Sequence, residues 1–335
     1  MESERTARKI ILSGMRPTGS LHLGHYVGAI ENYVRMQEEY ECFFMVADWH
    51  ALLSEYEKPS DIKKNSFEIV KDWVACGIDP ERSVIFVQSM VPEHLELAMT
   101  FSLLTPLGWL ERCATYKEQL REIKGRMIAT YGFLGYPVLQ AADIALYRAN
   151  AVPVGVDQLP HLELAREIIR RFHSLYDREI FAEPEPILTK VSKLVGLDNR
   201  KMSKSYGNFI SLSDPANVVR KKVFSMYTDP SRTRADIPGK VEGNPVFMYH
   251  DVFNPNKDEV EDLKERYRQG NVGDVEVKEK LATALNVFLD PIRKKRESLS
   301  DGDVKAIIEQ GAVRARRAAQ KTMTKVKKCL HQVIL

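Results

Sequence analysis

The sequence predicts an α/β fold, a doubly wound parallel sheet followed by an all-helical segment. Short continuous apolar runs, KIIL at Lys9–Leu12, CFFMVA at Cys42–Ala47 and VIFV at Val84–Val87, read as buried parallel strands. Helical spacing separates them. After Lys204 the strand-like runs stop and only helical patterns remain.

The elements follow in order. The first strand ends at Ser13-Gly14, and Leu23, Val27, Ile30 and Val34 then recur at helical spacing to about Glu39. Ser60 to Cys76 reads as a helix capped by Ser60 and stopped by Gly77. Glu93 to about Arg126 is helical, interrupted at Pro106-Leu107-Gly108. The apolar segment Tyr136–Leu146 leads to a further strand at Val152-Pro153-Val154. His161–Phe172 is a helix, and Glu183–Pro186 is a proline-rich loop. Asp214-Pro215 opens a helix, with a cap followed by proline at the first helical position. Asp258–Gln269 ends at Gly270, a long helix from Val275 breaks near Pro291, and Asp303–Leu330 closes the chain. The expected division is an α/β domain over residues 1–205 and a helical domain over 206–335.

Composition narrows the function classes. The chain is 44% hydrophobic and 28% charged, ordinary for a soluble protein, and no apolar run approaches the roughly 20 residues of a membrane span. Its first nine residues mix acids and bases, unlike a secretory signal or transit peptide, so a cytoplasmic setting is expected. The four cysteines (Cys42, Cys76, Cys113 and Cys329) form no C-x-x-C pair and read as free thiols rather than metal ligands. From Pro291 onward twelve Lys/Arg face four Asp/Glu, a local charge of +8 on a body of −5. Such a tail suits an anionic partner or a solvated helix face.

Two motifs carry chemistry. Pro17-Thr18-Gly19-Ser20-Leu21-His22-Leu23-Gly24-His25 lies between the first strand and its helix, where doubly wound sheets bind ligands. Backbone N–H groups at a helix start suit phosphate, Gly24 lets a flat base approach, and His22 and His25 can donate to phosphate oxygens. The second motif is Lys201-Met202-Ser203-Lys204-Ser205, at the end of the α/β pattern. Two lysines and two hydroxyls in five residues can wrap a triphosphate. Singly, the first also reads as a structural histidine pair and the second as a polar surface loop.

Together the two motifs resemble the paired signatures of class I aminoacyl-tRNA synthetases. Within that class the chain resembles the bacterial tryptophanyl-tRNA synthetases over nearly its whole length. The matching segments are Ser13-Gly14-Met15-Arg16-Pro17-Thr18-Gly19, Ala47-Asp48-Trp49-His50-Ala51, Phe86-Val87-Gln88-Ser89, Tyr136-Pro137-Val138-Leu139-Gln140-Ala141-Ala142-Asp143, Val154-Gly155-Val156-Asp157-Gln158 and Lys201–Ser205.

The resemblance implies a Rossmann-like, HUP-type catalytic domain, a helical insertion at about 92–135, and a helical anticodon-binding domain. It implies ATP with Mg²⁺, L-tryptophan and tRNA(Trp) as reactants, no metal held by protein side chains, and a homodimer formed through the insertion. Arg16, Pro17, Thr18, Gly24 and His25 would line the ATP site, with Leu194 also there and Gly155, Val156 and Asp157 holding adenosine. Lys201, Met202, Ser203, Lys204 and Ser205 would close on the triphosphate, with His22 beside them. Asp143 would accept the indole N–H. Tyr136, Gln140, Val152, Val154, Leu12 and Gly14 would wall the ring, near Gln158 and His50. Two departures stand out: His25 replaces the usual bacterial asparagine, and Gln140 replaces a methionine common against the indole.

The chemistry fits these residues independently. Activation attacks the α-phosphate of ATP and expels pyrophosphate, so fixed positive charge is needed and no side-chain nucleophile. An unpaired indole N–H in an apolar pocket costs about 1–3 kcal/mol. A fixed Asp143 carboxylate removes that cost and rejects phenylalanine. Tyrosyl-tRNA synthetase shares the fold and both motifs and is the nearest alternative. A non-catalytic RNA-binding paralogue would show decayed motifs, and a nucleotidylyltransferase would be shorter and lack the basic helical tail. Arg314, Arg316, Arg317, Lys321, Lys325, Lys327 and Lys328 are expected to face tRNA in part, with Val304, Ile307, Ile308 and Met323 turned inward.

Overall fold

The apolar runs assemble into one five-stranded parallel sheet in the order β3-β2-β1-β4-β5. The computed structural model describes residues 8–59, 61–113, 130–188, 194–202, 206–229, 232 and 234–332. The strands are β1 (Ile10–Met15), β2 (Glu41–Val46), β3 (Val84–Val87), β4 (Ala151–Val154) and β5 (Glu185–Leu188). Register is direct: Ile11 lies opposite Cys42 on one side and Ala151 on the other, and Phe43 lies opposite Val84. Winding runs one way from β1 to β3 and the other way from β4 to β5. The switch point therefore falls between β1 and β4, where such sheets open a crevice.

Alternation along the strands gives the sheet two apolar faces. Ile11, Phe44, Val46, Ile85 and Val87 enter one core, with Ile69, Val70 and Trp73 of the helix Ile62–Ala75. Leu12, Phe43, Met45, Val84 and Phe86 enter the other. That second face is covered by α5 (Glu93–Ser102), by the helix Tyr136–Leu146 and by the helix Leu159–Tyr176. In chain order the remaining helices before it are α1 (Leu23–His25), α2 (Glu31–Met36), α3 (Asp48–Glu55), α4 (Ile62–Ala75), α6 (Leu107–Glu111) and α7 (Tyr131–Leu134). Tyr136–Leu146 is then α8 and Leu159–Tyr176 is α9. Ten of the eleven residues of α8 are buried, which suits a helix apolar on every side, and its one acid is Asp143.

The C-terminal helices are α10 (Ala216–Phe224), α11 (Pro245–Phe253), α12 (Lys257–Gln269), α13 (Asp274–Glu297) and α14 (Asp301–Cys329). Helix α14 crosses the sheet edge at β3. Val304 and Ile308 pack into the first core, while Ala312, Ala315, Ala319, Met323 and Val326 pack into the second. At the crossing stands Gly311, where an added Cβ would lie only 1.7 Å from the Ile85 carbonyl oxygen. The Arg314 guanidinium donates to the carbonyls of Pro80 and Ser83 at 2.9 and 3.1 Å. The exposed edge of the sheet is thus closed by a helix. Arg296 on α13 pairs with Asp72 and Glu68 of α4, and Lys71 pairs with Asp301 at 2.6 Å.

Several elements differ from the sequence expectation. β1 runs three residues further, to Met15, because pairing with β2 continues through Gly14 and Met15. The helix after it holds a π-turn at Tyr26–Ile30 and ends at Met36. The expected loop at Glu183–Pro186 gives way to β5: Pro186 lacks an N–H, but an edge strand pairs on one side only. Pro291 does not break α13; the carbonyl it leaves without its helical partner lies at Val287, an exposed position where water can reach it. Asp214 does not cap α10, and its carboxylate instead accepts from the Ser211 N–H and from Lys222. The expected cap Ser60 lies outside the described residues, as do residues 114–126 of the helix expected to end near Arg126.

Candidate active site

A cavity of about 420 Å³ opens at the switch point, between the carboxyl ends of β1 and β4. All nine residues expected around an indole ring line it: Leu12, Gly14, His50, Tyr136, Gln140, Asp143, Val152, Val154 and Gln158. Gly14 can only be glycine here, since a Cβ would stand 2.5 Å from the Met45 carbonyl oxygen. Gly28 and Ala29 also line the cavity, and both sit in the π-turn after His25. The extra residue of a π-turn redirects the helix face. Here it turns a glycine and an alanine toward the cavity, which keeps the space open.

Asp143 is the electrostatic centre. It is 2% exposed, yet its carboxylate meets three partners. Oδ1 accepts from Gln88 Nε2 at 2.8 Å and lies 2.7 Å from His94 Nδ1, and Oδ2 lies 2.7 Å from His50 Nε2. Burial works to raise the Asp143 pKa. The charge and hydrogen bonds of His94 and His50 outweigh it and hold the carboxyl below its ordinary range. The group therefore stays an anionic acceptor.

A second polar chain runs along the cavity wall. The Tyr136 hydroxyl lies 2.6 Å from His161 Nε2, His161 Nδ1 lies 3.1 Å from Gln158 Oε1, and Gln158 Nε2 donates to Asp157 Oδ2 at 2.9 Å. Asp157 in turn crowds Gly155, where a Cβ would stand 2.6 Å from its Oδ1. This chain ties the apolar wall to the loop after β4. On the far side Tyr33 lines the cavity with its hydroxyl 2.6 Å from Ser13 Oγ, and burial pushes its pKa up to about 12.

Among the residues expected around ATP, two line the cavity and the other described ones lie outside its lining. Arg16 and Gly155 line the cavity itself. Pro17 and Thr18 form the turn beside Arg16, closed by the Thr18 N–H donating to the Arg16 carbonyl at 2.9 Å. The His22 and His25 rings lie 3.7 Å apart, and the His22 N–H donates to His25 Nδ1 at 3.2 Å. A Cβ on Gly24 would meet Met202 Sδ at 2.9 Å and His22 Nδ1 at 3.0 Å, so the two motifs touch. Val156 is exposed in the turn Val156–Gln158, beside Asp157. Leu194 packs against the first core. Lys201 is exposed, with its carbonyl held by Asn208 Nδ2 at 3.2 Å and its backbone bridged to Val195. Ser203, Lys204 and Ser205 lie outside the described residues.

The sequence reading assigned no role to His94, Tyr147, Tyr33 or His161, and none to Gln88 beyond its segment. A signal existed for one of them: Gln88 directly follows the unbroken apolar run Val84–Val87, and it is fully buried. The basic tail also differs in part from expectation. Arg314, Arg316 and Lys327 are occupied by the body of the protein, through the Pro80 and Ser83 carbonyls, Glu93 and Glu96. Arg317, Lys321, Lys325 and Lys328 are exposed along one stripe of α14. Val304, Ile308 and Met323 are buried and Ile307 packs on the core, as expected.

Comparison with known proteins agrees with this geometry. The family described as tRNA synthetases class I (W and Y) matches residues 4–290. A tryptophan–tRNA ligase of Treponema pallidum (strain Nichols) is 51% identical over 325 residues, covering 96% of each chain. One of Borreliella burgdorferi is 49% identical over 326 residues, covering 96% of this chain and 93% of that one. Among solved structures, the tryptophanyl-tRNA synthetase of Campylobacter jejuni, complexed with ADP and tryptophan, superposes with a TM-score of 0.88. It is 34% identical, covering 96% of this chain and 99% of that chain.

Proposed function

Because the chain belongs to the class I tRNA synthetases of the tryptophan and tyrosine family, we propose that the cavity between β1 and β4 is where it activates its amino acid. The chain is an ATP-dependent aminoacyl-tRNA ligase, and the amino acid it loads is tryptophan. The observation that carries the site assignment is the Asp143 carboxylate, buried and held anionic at the wall of a cavity of about 420 Å³.

In this reading the indole ring enters between Leu12, Tyr136, Val152 and Val154, and its N–H donates to Asp143. Leaving that N–H unpaired would cost about 1–3 kcal/mol, which is the discrimination against phenylalanine. ATP lies across the two motifs that meet at Gly24 and Met202, with Gly155 and Asp157 toward the ribose and His25 toward the phosphates. The tryptophan carboxylate attacks the α-phosphate and pyrophosphate leaves. Lys201 and Lys204 offset the charge on the departing phosphates, a task of positioning and electrostatics. Mg²⁺ accompanies the triphosphate as its counter-ion. Among the described residues no three His, Cys, Asp or Glu side chains converge as a metal site.

For tRNA(Trp), the stripe of Arg317, Lys321, Lys325 and Lys328 supports phosphate contact, and the helices from residue 206 onward serve as the anticodon-binding part. For a homodimer, support comes from Leu95, Met99, Leu103 and Leu107, which are exposed at four-residue spacing in and after α5. No described helix is long and apolar enough to cross a membrane, and the reading places the protein in the cytoplasm with its substrates.

The test is ATP–pyrophosphate exchange with tryptophan, tyrosine and phenylalanine in turn. Exchange with tryptophan alone, abolished at least ~100-fold by Asp143→Ala, is the expected result. Exchange driven by tyrosine, or an Asp143→Ala enzyme as active as the parent, overturns the assignment.

A further inference from the structure

Beyond Asp143 lies a buried polar chain that the proposed chemistry does not use. His94 is fully buried, with Nδ1 2.7 Å from Asp143 Oδ1 and Nε2 2.8 Å from the Tyr147 hydroxyl. Tyr147 is itself buried, stacked on Phe43 at 4.6 Å and packed edge-on to Phe86 at 5.5 Å. Phe86 also stacks on the His94 ring at 6.0 Å. Gln88, 0% exposed, reaches the same Oδ1 from the end of β3.

An ionised carboxylate only accepts, so His94 Nδ1 and His50 Nε2 present protons to it. The far nitrogen of His94 is closed by the Tyr147 hydroxyl at 2.8 Å. Burial pushes the Tyr147 pKa well up, with the Asp143 and Glu93 charges adding to it, so the hydroxyl keeps its proton. Tyr147 thereby holds the ring with Nδ1 toward Asp143, as outer hydrogen bonds orient ligand histidines elsewhere.

A carboxylate offers about four lone-pair directions. Gln88 and His94 take both on Oδ1, and His50 takes one on Oδ2. One remains, on the oxygen shared with the cavity-lining His50. We propose that Tyr147, His94 and Gln88 form a positioning relay that leaves Asp143 one accepting direction, so that the site selects a bicyclic side chain carrying a single N–H donor. The proposal rests on the reading of the cavity as the indole site. None of the three relay residues touches the substrate.

The test compares ATP–pyrophosphate exchange for tryptophan and for β-(benzothiophen-3-yl)alanine, the isostere with sulfur in place of the N–H. The readout is the ratio of their kcat/KM values. In Tyr147→Phe the rings still stack, and the ratio is expected to fall at least ~10-fold, through a higher KM for tryptophan with the isostere little changed. His94→Gln, which keeps an N–H toward Oδ1, is expected to retain more of the ratio than His94→Leu. If Tyr147→Phe leaves the ratio unchanged, or lowers both substrates equally, the relay is only packing and the proposal is overturned. Should the His94 variants fold poorly, Tyr147→Phe alone decides. An unmodified chain that exchanges with tryptophan but whose Tyr147→Phe ratio is unchanged overturns the relay alone. No exchange with tryptophan by the unmodified chain overturns the site reading as well.

Discussion

Gly24 and Met202 belong to motifs far apart in sequence, yet a methyl group on Gly24 would stand 2.9 Å from the Met202 sulfur and 3.0 Å from His22 Nδ1. The space left by one glycine is what lets the second motif settle on the first. Gly24→Val forces Met202 or His22 aside, and displacements near 1 Å cost about 100-fold in positioned reactions. The expected outcome is a fall of that order in kcat/KM for ATP in pyrophosphate exchange. Tryptophan affinity, measured by calorimetry, should change little.

Lys201 is exposed, and its backbone is anchored through Asn208 and Val195 independently of its side chain. Lys201→Ala should therefore lower exchange by about 100- to 1000-fold, the scale of one lost stabilising donor. Tryptophan Kd should stay within about twofold of the parent, since Lys201 does not line the cavity. Equal loss in both measurements would mean that the lysine is structural.

Gly311 lies where α14 crosses β3, and an added Cβ would collide with the Ile85 carbonyl at 1.7 Å. Backbone cannot yield as a flexible side chain does. Gly311→Val should destabilise the fold by about 3 kcal/mol or more, read as a shift in the denaturation midpoint. Gly302→Ala, on the same helix with only Ser300 nearby, should be nearly neutral or stabilising.

The basic stripe on α14 separates binding from docking. Replacing Lys321 and Lys325 by serine should weaken tRNA binding and reduce the slope of log affinity against log salt by about 1 to 2. Arg314→Ser should instead lower thermal stability, because its guanidinium holds the Pro80 and Ser83 carbonyls. Filter binding across salt concentrations distinguishes the two.

His173 predicts a pH effect of known sign. Its Nε2 accepts from the Ile180 and Phe181 N–H groups at 3.2 and 3.1 Å, which only the neutral ring can do. Burial lowers its pKa, against the smaller opposing influence of Glu179 and Glu183. A folded pKa below the unfolded value of about 6.5 gives stability that is complete above that pH and lost as pH falls through the folded value. The Tm should drop more between pH 7.5 and 5 in the parent than in His173→Gln, whose amide oxygen can still accept. Partial exposure keeps the effect modest.

Much of this was legible in the sequence because buried parallel strands are written as unbroken apolar runs. β2 and β3 were found nearly to the residue for that reason. β5 was not: EPIL is short, carries a proline and pairs on one side only, so its identity comes from β4. Pro291 misled in the opposite direction, since an exposed carbonyl tolerates what a buried one would not. At the site, all nine residues expected around the ring converge. The supports behind Asp143 stayed hidden because Gln88 and His94 lie 55 and 49 residues from it and reach it only after α5 and α8 pack on β3. The basic tail hid its division of labour similarly, since charge alone does not tell a docked arginine from a free one.

The crossing of α14 over β3 also has a consequence in time. Arg314 and the Ser83 carbonyl are 231 residues apart, so during synthesis the edge strand exists long before its cover does. Until the last helix leaves the ribosome, a parallel sheet with its ligand crevice already framed carries one open edge and two incomplete apolar faces. Chains cut short before α14 should therefore be sticky, chaperone-dependent and prone to self-association even though every residue around the crevice has been made. Completion of the α/β half is thus a late event, timed by the helix that closes its edge.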